Sequence, residues 1–413
     1  MKAPSQRMLD VLIAGRGPVG LALAIALDRA GLSVALVGPS PVAPKPQTSH
    51  DWDPRVYALS SSTLALLNEL HVWDLVDLDR VAPVYAMKVF SDAGANAQSV
   101  DFNAYSAGLD ALAQIIEHRN LTQALERALR FRDIRVIESG VIESGAGTGD
   151  MEVFPGHVEW RAEPTSPEPL RARLLIGADG ARSRVRVALG LDGAQHEYDQ
   201  HAVVANFLGE HSHLDMARQW FGDDGVLALL PLPLDEQRRG RVSLVWSVSG
   251  ERAAELMALT AEGLAAIVSN AVHGQFGRLE PLSSAQCLPL MRLSARALVA
   301  SRVALVGDAG HVIHPMAGQG MNLGFGDVAT LARVLGQREA ERDCGEITLL
   351  RRYARARAEP VLAMTLATDG LYRMFYKAPA QIAPLRNLAF RALNQLAFAK
   401  RWMVSEAAGG TSS

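Results

Sequence analysis

Of all the stretches in this chain, Arg302–Asp327 (RVALVGDAGHVIHPMAGQGMNLGFGD) limits the possible folds most. Val303 to Val306 is a short apolar run and reads as a buried strand. Gly307-Asp308 then stops it, leaving a lone carboxylate at the carboxyl end of the strand, where open α/β sheets put their ligands. A loop containing Pro315, Gly318 and Gly320 follows, and Met321-Asn322 begins an apolar helix that carries on through Leu335. Glycines let main chain run flat against a ligand that a Cβ would push away. Loop amides and a helix N-terminus delivered to one point suit an anion or an electron-rich ring. The residues favour a cofactor cradle over an ordinary strand–loop–helix connection, and leave both open.

Two more segments follow the same plan. Residues 9 to 37 read as strand, tight turn, helix and strand: Leu9–Ala14, GRGPVG, Val19–Ala30 and Ser33–Val37. A bare GxGxxG is weak, but this one follows a strand and opens a helix. Gly15 allows the sharp turn, Gly17 lets a pyrophosphate approach the backbone, and Gly20 lets helix and strand pack closely. The acid expected at the end of the second strand is missing, because Val37 is followed by Gly38-Pro39-Ser40. Ser40 or a main-chain group then has to make the ribose contact. In the other segment the apolar run Leu174 to Ile176 ends in GADG, with Asp179 and Gly180, and a helix starts at Ser183.

At 413 residues the chain exceeds what one hydrophobic core usually organises, so two interleaved domains are expected. A net charge of -3 gives no basic face for nucleic acid. Cys287 and Cys344 form no CxxC, which argues against a disulfide scaffold or zinc module and for a reducing, cytoplasmic setting. Lys2 and Arg7 precede an apolar run as in a secretory signal, but Asp10, Arg16 and recurring glycines interrupt it. No run of about 20 uncharged apolar residues occurs, so a spanning helix is not expected. His311 and His314 straddle a Pro-Gly loop without HExxH, so metal ligation is not expected, and no GxSxG elbow supports a serine hydrolase.

Elsewhere the pattern is coarser. Residues 39 to 50 read as a surface loop, and Ser60 to Ser62 offer N-caps to a helix with Leu64, Leu67 and Leu70 on one face. Residues 84 to 102 alternate as strands, and Ala113 to Arg130 reads as a helix with Arg119 and Gln123 a turn apart. Ile134 to Ile176 reads as a β-meander punctuated by Gly- and Pro-rich turns. Within 196 to 290, Phe221, Pro231 and Trp246 are candidates for an apolar pocket wall. After Asp369 no acidic residue appears until Glu406, while Arg373, Lys377, Arg386, Arg391, Lys400 and Arg401 lie among apolar residues. That composition fits peripheral contact with anionic lipid, a partner-binding face, or a helix covering the core with a basic rim.

Gly307-Asp308 with His311, Pro315 and GQGMNLG resembles the second flavin motif of the FAD-dependent aromatic hydroxylases. More narrowly it resembles the branch that hydroxylates polyprenyl phenols in ubiquinone biosynthesis. The resemblance implies that Asp308 holds the ribityl and ribose side of FAD, and that Gly318, Gly320, Met321 and Asn322 pass beside the isoalloxazine. It puts Arg55, within the Asp53, Arg55, Ala58, Leu59 pattern, near the FAD pyrophosphate and flavin edge, and Arg119 against the phosphates. Asp179 and Gly180, in register with Ser183 and Arg186, match the motif described as serving both FAD and the nicotinamide cofactor.

The implied fold is α/β, with a Rossmann-type FAD-binding domain (1–82, 111–190 and 291–340) interleaved with a mixed-sheet substrate domain (83–110 and 191–290). Residues 341–413 are expected to form a C-terminal helical segment. The implied reaction is hydroxylation of a hydrophobic phenol by O2, with FAD as cofactor and NAD(P)H as reductant. The catalytic chemistry is carried by the flavin, and no general base is identified. Association into a homo-oligomer or a ubiquinone-biosynthesis complex is compatible with the resemblance. A hydroxylase of a small soluble phenol and a non-catalytic flavoprotein scaffold remain as alternatives.

Overall fold

The computed structural model describes residues 8–39, 51–90, 99–138, 151–161, 169–222, 224–313 and 319–372. Pro315, Gly318, Ser40 and the basic stretch beyond 372 lie outside the described residues.

A parallel sheet organises the first layer. Its strands run in the order Val303–Leu305, Leu170–Gly177, Leu9–Ala14, Val34–Gly38, Arg135–Glu138, with the short Val299–Ala300 antiparallel on the outer edge. Strand residues alternate between faces. Val11, Ile13, Leu36 and Ile176 turn to one core, while Leu12, Ala14, Val37 and Leu175 turn to another. Burial on both faces is why these segments read as nearly unbroken apolar runs. Helix Pro18–Arg29 lies against the first face, with only Val19 in its first turn and Asp28 and Arg29 in its last turn less than fully buried. It packs between the sheet and helices His118–Leu129 and Gly320–Gly336, so its sequence is apolar nearly all round. A fully buried leucine such as Leu23 contributes about 1.5–3 kcal/mol over an exposed one.

A nine-stranded sheet forms the second layer, made of Ala86–Phe90, Ser99–Asn103, the six strands between Ala194 and Ser294, and the short His311–Val312. Helices Gly250–Met257 and Ala261–Ala271 cover one face, over Trp220, Leu244 and Trp246. The opposite face carries Tyr198, Val204, Phe221 and Val226. Between the layers sits a three-stranded sheet of Val56–Leu59, Ala113–Glu117 and Val81–Val84. Its Leu59 and Ile116 face the parallel-sheet core, whereas Ile115 and Val84 pack with Ala217 and Leu232 of the second layer.

Two expectations are corrected. Ala113–Glu117 is a strand, and the helix begins only at His118. Ile115 and Ile116 are fully buried between two partner strands, and a short apolar run has no periodicity to tell strand from helix. Residues 134 to 176 are not a meander. Arg135–Glu138 joins Val34–Gly38 in parallel, and Leu170–Gly177 inserts in parallel between Leu9–Ala14 and Val303–Leu305. Among the described residues of this stretch, only the Met151–Val153 and Val158–Trp160 hairpin is antiparallel to its neighbours. Turn punctuation locates strands but says nothing about their partners.

Candidate cofactor site

The three glycine-bearing turns sit side by side, because the strands before them are adjacent and parallel. Main-chain bonds lock them together: Ala178 N donates to Ala14 O at 2.7 Å, and Val306 N donates to Gly177 O at 3.0 Å. Gly15 has φ +120°, and a Cβ there would run into the Ala178 carbonyl. Gly20 is pressed just as closely on the Gly15 carbonyl. On the other side, a Cβ at Gly324 would come within 2.7 Å of Val19 Cγ2, and Gly307 (φ +57°) backs onto the same valine. These glycines therefore serve close packing of turn on turn.

Others face open space. A Cβ at Gly17, Gly180 or Gly320 would meet no atom within 4 Å. Gly17 is the N-cap of helix Pro18–Arg29, in extended conformation and without a side-chain cap. The first amides of that helix lack intrahelical partners, and the N-terminus carries partial positive charge. A backbone surface free of Cβ atoms beside such an N-terminus fits a diphosphate.

Asp308 lies on the short turn Gly307–Ala309. Its carboxyl is hemmed in by protein yet open to solvent, as at the floor of a concave surface. That crowding raises its pKa, opposed by His311 and Arg55; solvent on the open side moderates the effect. Behind the turn is a buried cluster. Asp327 Oδ2 accepts from Gly307 N and pairs with His311 Nε2, both at 2.7 Å, and Asp327 Oδ1 accepts from Arg357 Nε at 2.6 Å. Burial alone would lower the His311 pKa, but Asp327 outweighs it and the imidazole is raised. The Asp327 carboxyl is lowered: burial opposes this, and His311 and Arg357 prevail.

Asn322 fastens the fourth side. Its Nδ2 donates to Ala58 O and Gln319 Oε1, while its Oδ1 accepts from Ser60 N and Thr63 Oγ1. With all these bonds made inside the protein, what Asn322 and Met321 offer a ligand is main chain at the start of helix Gly320–Gly336. The bonds also bring the 56–60 segment, and Arg55 before it, up to the Gly307–Asp308 turn. Next to Arg55, Tyr57 Oη and His118 Nδ1 are 2.8 Å apart. Burial pushes the Tyr57 hydroxyl up to about 12, and burial with nearby Arg55 lowers His118. Both are neutral near pH 7, so a single neutral hydrogen bond joins them, its direction set by the imidazole tautomer.

Arg119 is held by Asp51, with Nη1 to Oδ2 at 2.8 Å and Nη2 to the carbonyl at 2.9 Å. Asp179 Oδ2 caps helix Arg184–Ala188 by accepting from Arg184 N and Val185 N, while its buried Oδ1 has no hydrogen-bond partner. An orphaned carboxylate oxygen beside the open Gly180 is an acceptor that a hydroxyl of the cofactor can satisfy. Arg186 clamps two of the turns, donating to Ala181 O and Ala309 O.

The proposed pocket residues separate. Phe221 lies on the face of the nine-stranded sheet opposite the two covering helices. Trp246 is 3% exposed in the core beneath the two covering helices, and Pro231 shares the strand parity of Leu227 and Leu229, which pack in that same core.

Sequence reading missed Tyr57 with His118, Asp327 with Arg357, and the buried Glu117–Arg80 ion pair at 2.6 Å. Only Asp327, closing the GFGD run four residues after Leu323, gave a visible signal.

The family model described as FAD binding domain matches residues 8–368. The ubiquinone hydroxylase UbiL of Rhodospirillum rubrum is 32% identical, the match covering 98% of this chain and 90% of the relative. The 3-demethoxyubiquinol 3-hydroxylase of Escherichia coli is 32% identical over 97% of this chain and 98% of the relative. Among solved structures, p-nitrophenol 4-monooxygenase PnpA from Pseudomonas putida aligns with a TM-score of 0.74, covering 98% of this chain and 99% of that one. At 18% identity that likeness speaks for the fold alone.

Proposed function

The chain belongs to the FAD-binding family of flavoprotein monooxygenases, and on that premise we propose that it hydroxylates the aromatic ring of a polyprenylated phenol in ubiquinone biosynthesis. The observation that carries this reading is near full-length similarity to two ubiquinone-ring hydroxylases, on a chain whose three glycine turns converge. One atom of O2 enters the ring and the other leaves as water, with two electrons from NAD(P)H.

Bound FAD supplies the redox and oxygen chemistry, and the protein binds, orients and excludes water. Gly17 and the helix behind it receive the pyrophosphate. Asp308 accepts from the sugar-alcohol hydroxyls, and Arg55 stands across from it. Asn322 fixes the start of helix Gly320–Gly336 against the 56–60 segment, so the flavin side of the cleft is rigid before substrate arrives. The face of the nine-stranded sheet opposite the two covering helices, with Phe221, Tyr198 and Leu290, offers the phenol an apolar wall. Trp246 and Pro231 back that wall from its other side. Keeping water from the reacting ring directs the oxygen into product rather than free peroxide.

The test is expression in strains blocked at each ring-hydroxylation step, followed by identification of the quinone intermediate that disappears. Restoration of one step is expected. Restoration in none, with a folded and yellow protein, overturns the substrate class and leaves a hydroxylase of another phenol.

A further inference from the structure

Dinucleotide folds usually place an acid at the end of the second strand to hold the adenosine ribose. Here that position is Gly38, and the structure shows why no side chain stands there. A Cβ on Gly38 would lie 2.8 Å from Arg16 Cβ and 3.0 Å from Arg16 N. The Arg16 side chain, from the middle of the GRG turn, occupies that ground. Its Nε and Nη2 donate to both carboxylate oxygens of Glu126, at 3.1 and 3.0 Å. Its Nη1 is buried, makes no hydrogen bond, and stands 3.6 Å from Glu138 Oε1.

Glu138 ends the neighbouring parallel strand, with its Cα in register with Gly38. Ile137, its predecessor, packs in the same core as Val37, so Glu138 shares the face that residue 38 would use. Its side chain is 69% exposed. Arg16 gives both its hydrogen bonds to Glu126 and meets Glu138 only as a 3.6 Å ion pair, so among the described residues the Glu138 carboxylate accepts no hydrogen bond at the carboxyl end of the sheet, one strand over from the missing acid. An acceptor without donors suits a vicinal diol and repels a phosphate.

We propose that Glu138 binds the adenosine ribose hydroxyls of FAD in place of an acid at position 38, and that Arg16 is the residue that positions it. This rests on the FAD-binding reading above.

The test is titration of the apoprotein with FAD, followed by displacement with ADP and with 2′,3′-dideoxy-ADP. Wild-type protein is expected to bind FAD and to prefer ADP over the dideoxy analogue by about tenfold or more, as befits hydrogen bonds to a charged group. Glu138→Ala is expected to weaken FAD by a similar factor and to lose the preference between the two nucleotides, with the apoprotein's melting temperature unchanged. Glu138→Gln, which keeps the shape and drops the charge, should move the same way. FAD affinity and nucleotide preference unchanged in Glu138→Ala overturn the assignment while leaving the FAD reading intact. Wild-type protein that binds no FAD overturns both.

Discussion

Asp327 has no exposed surface, yet it carries a charge that three groups need: the Gly307 amide, His311 and Arg357. Taking a partner from a buried ion pair leaves the other charge uncompensated, at a cost of about 3–5 kcal/mol. Asp327→Asn should therefore lower the urea midpoint of the apoprotein and release the turn that bears Asp308. The pH dependence follows from His311, whose folded pKa is raised. The folded state then binds a proton that the unfolded chain gives up sooner, so stability is fullest below the ordinary histidine range. It is lost as pH rises through the raised value. Asp327, lowered, contributes above the ordinary carboxylate range and is lost only in strong acid. Urea midpoints taken from pH 6 upward should fall in wild type and stay nearly level in Asp327→Asn; parallel curves would remove His311 from this role.

Among the elements, the two kinds of glycine separate packing from binding. Gly15→Ala forces a side chain into a left-handed backbone and against the Ala178 carbonyl, and is expected to cost about 2–5 kcal/mol. Gly17→Ala meets open space, so melting should shift by no more than about 0.5 kcal/mol while FAD affinity falls about tenfold or more. Thermal melts with a flavin titration read both, and a Gly17→Ala protein that binds FAD normally would place the diphosphate elsewhere. The turns were legible in the sequence because a glycine needed for φ or close approach stays visible as a letter, flanked by strand and helix patterns. Strand partners were not, as Arg135–Glu138 and Leu170–Gly177 show, since pairing across the chain leaves no local mark. Nor were Arg80 with Glu117, or Tyr57 with His118, which meet only because the small sheet brings Val56–Leu59 and Val81–Val84 to Ala113–Glu117.

At the scale of the whole molecule, one sheet presents the turns and another presents an apolar face, with the three-stranded sheet wedged between them. The wedge carries Arg55 on its approach and is pinned to the turn side by Asn322 and to the second layer by Ile115 and Ala58. The similarity to the ubiquinone hydroxylase and the 3-demethoxyubiquinol 3-hydroxylase covers 97–98% of the chain and so runs through all of these layers. Among the described residues no helix is long and apolar enough to cross a membrane, and the basic segment considered for lipid contact lies beyond them. That the turns act jointly on a single FAD is tested most directly by titrating the apoprotein and following flavin fluorescence. One site per chain, abolished or strongly weakened by Asp308→Ala although the variant stays folded, is the predicted result. A fully loaded, yellow Asp308→Ala protein, or two independent sites, would contradict it.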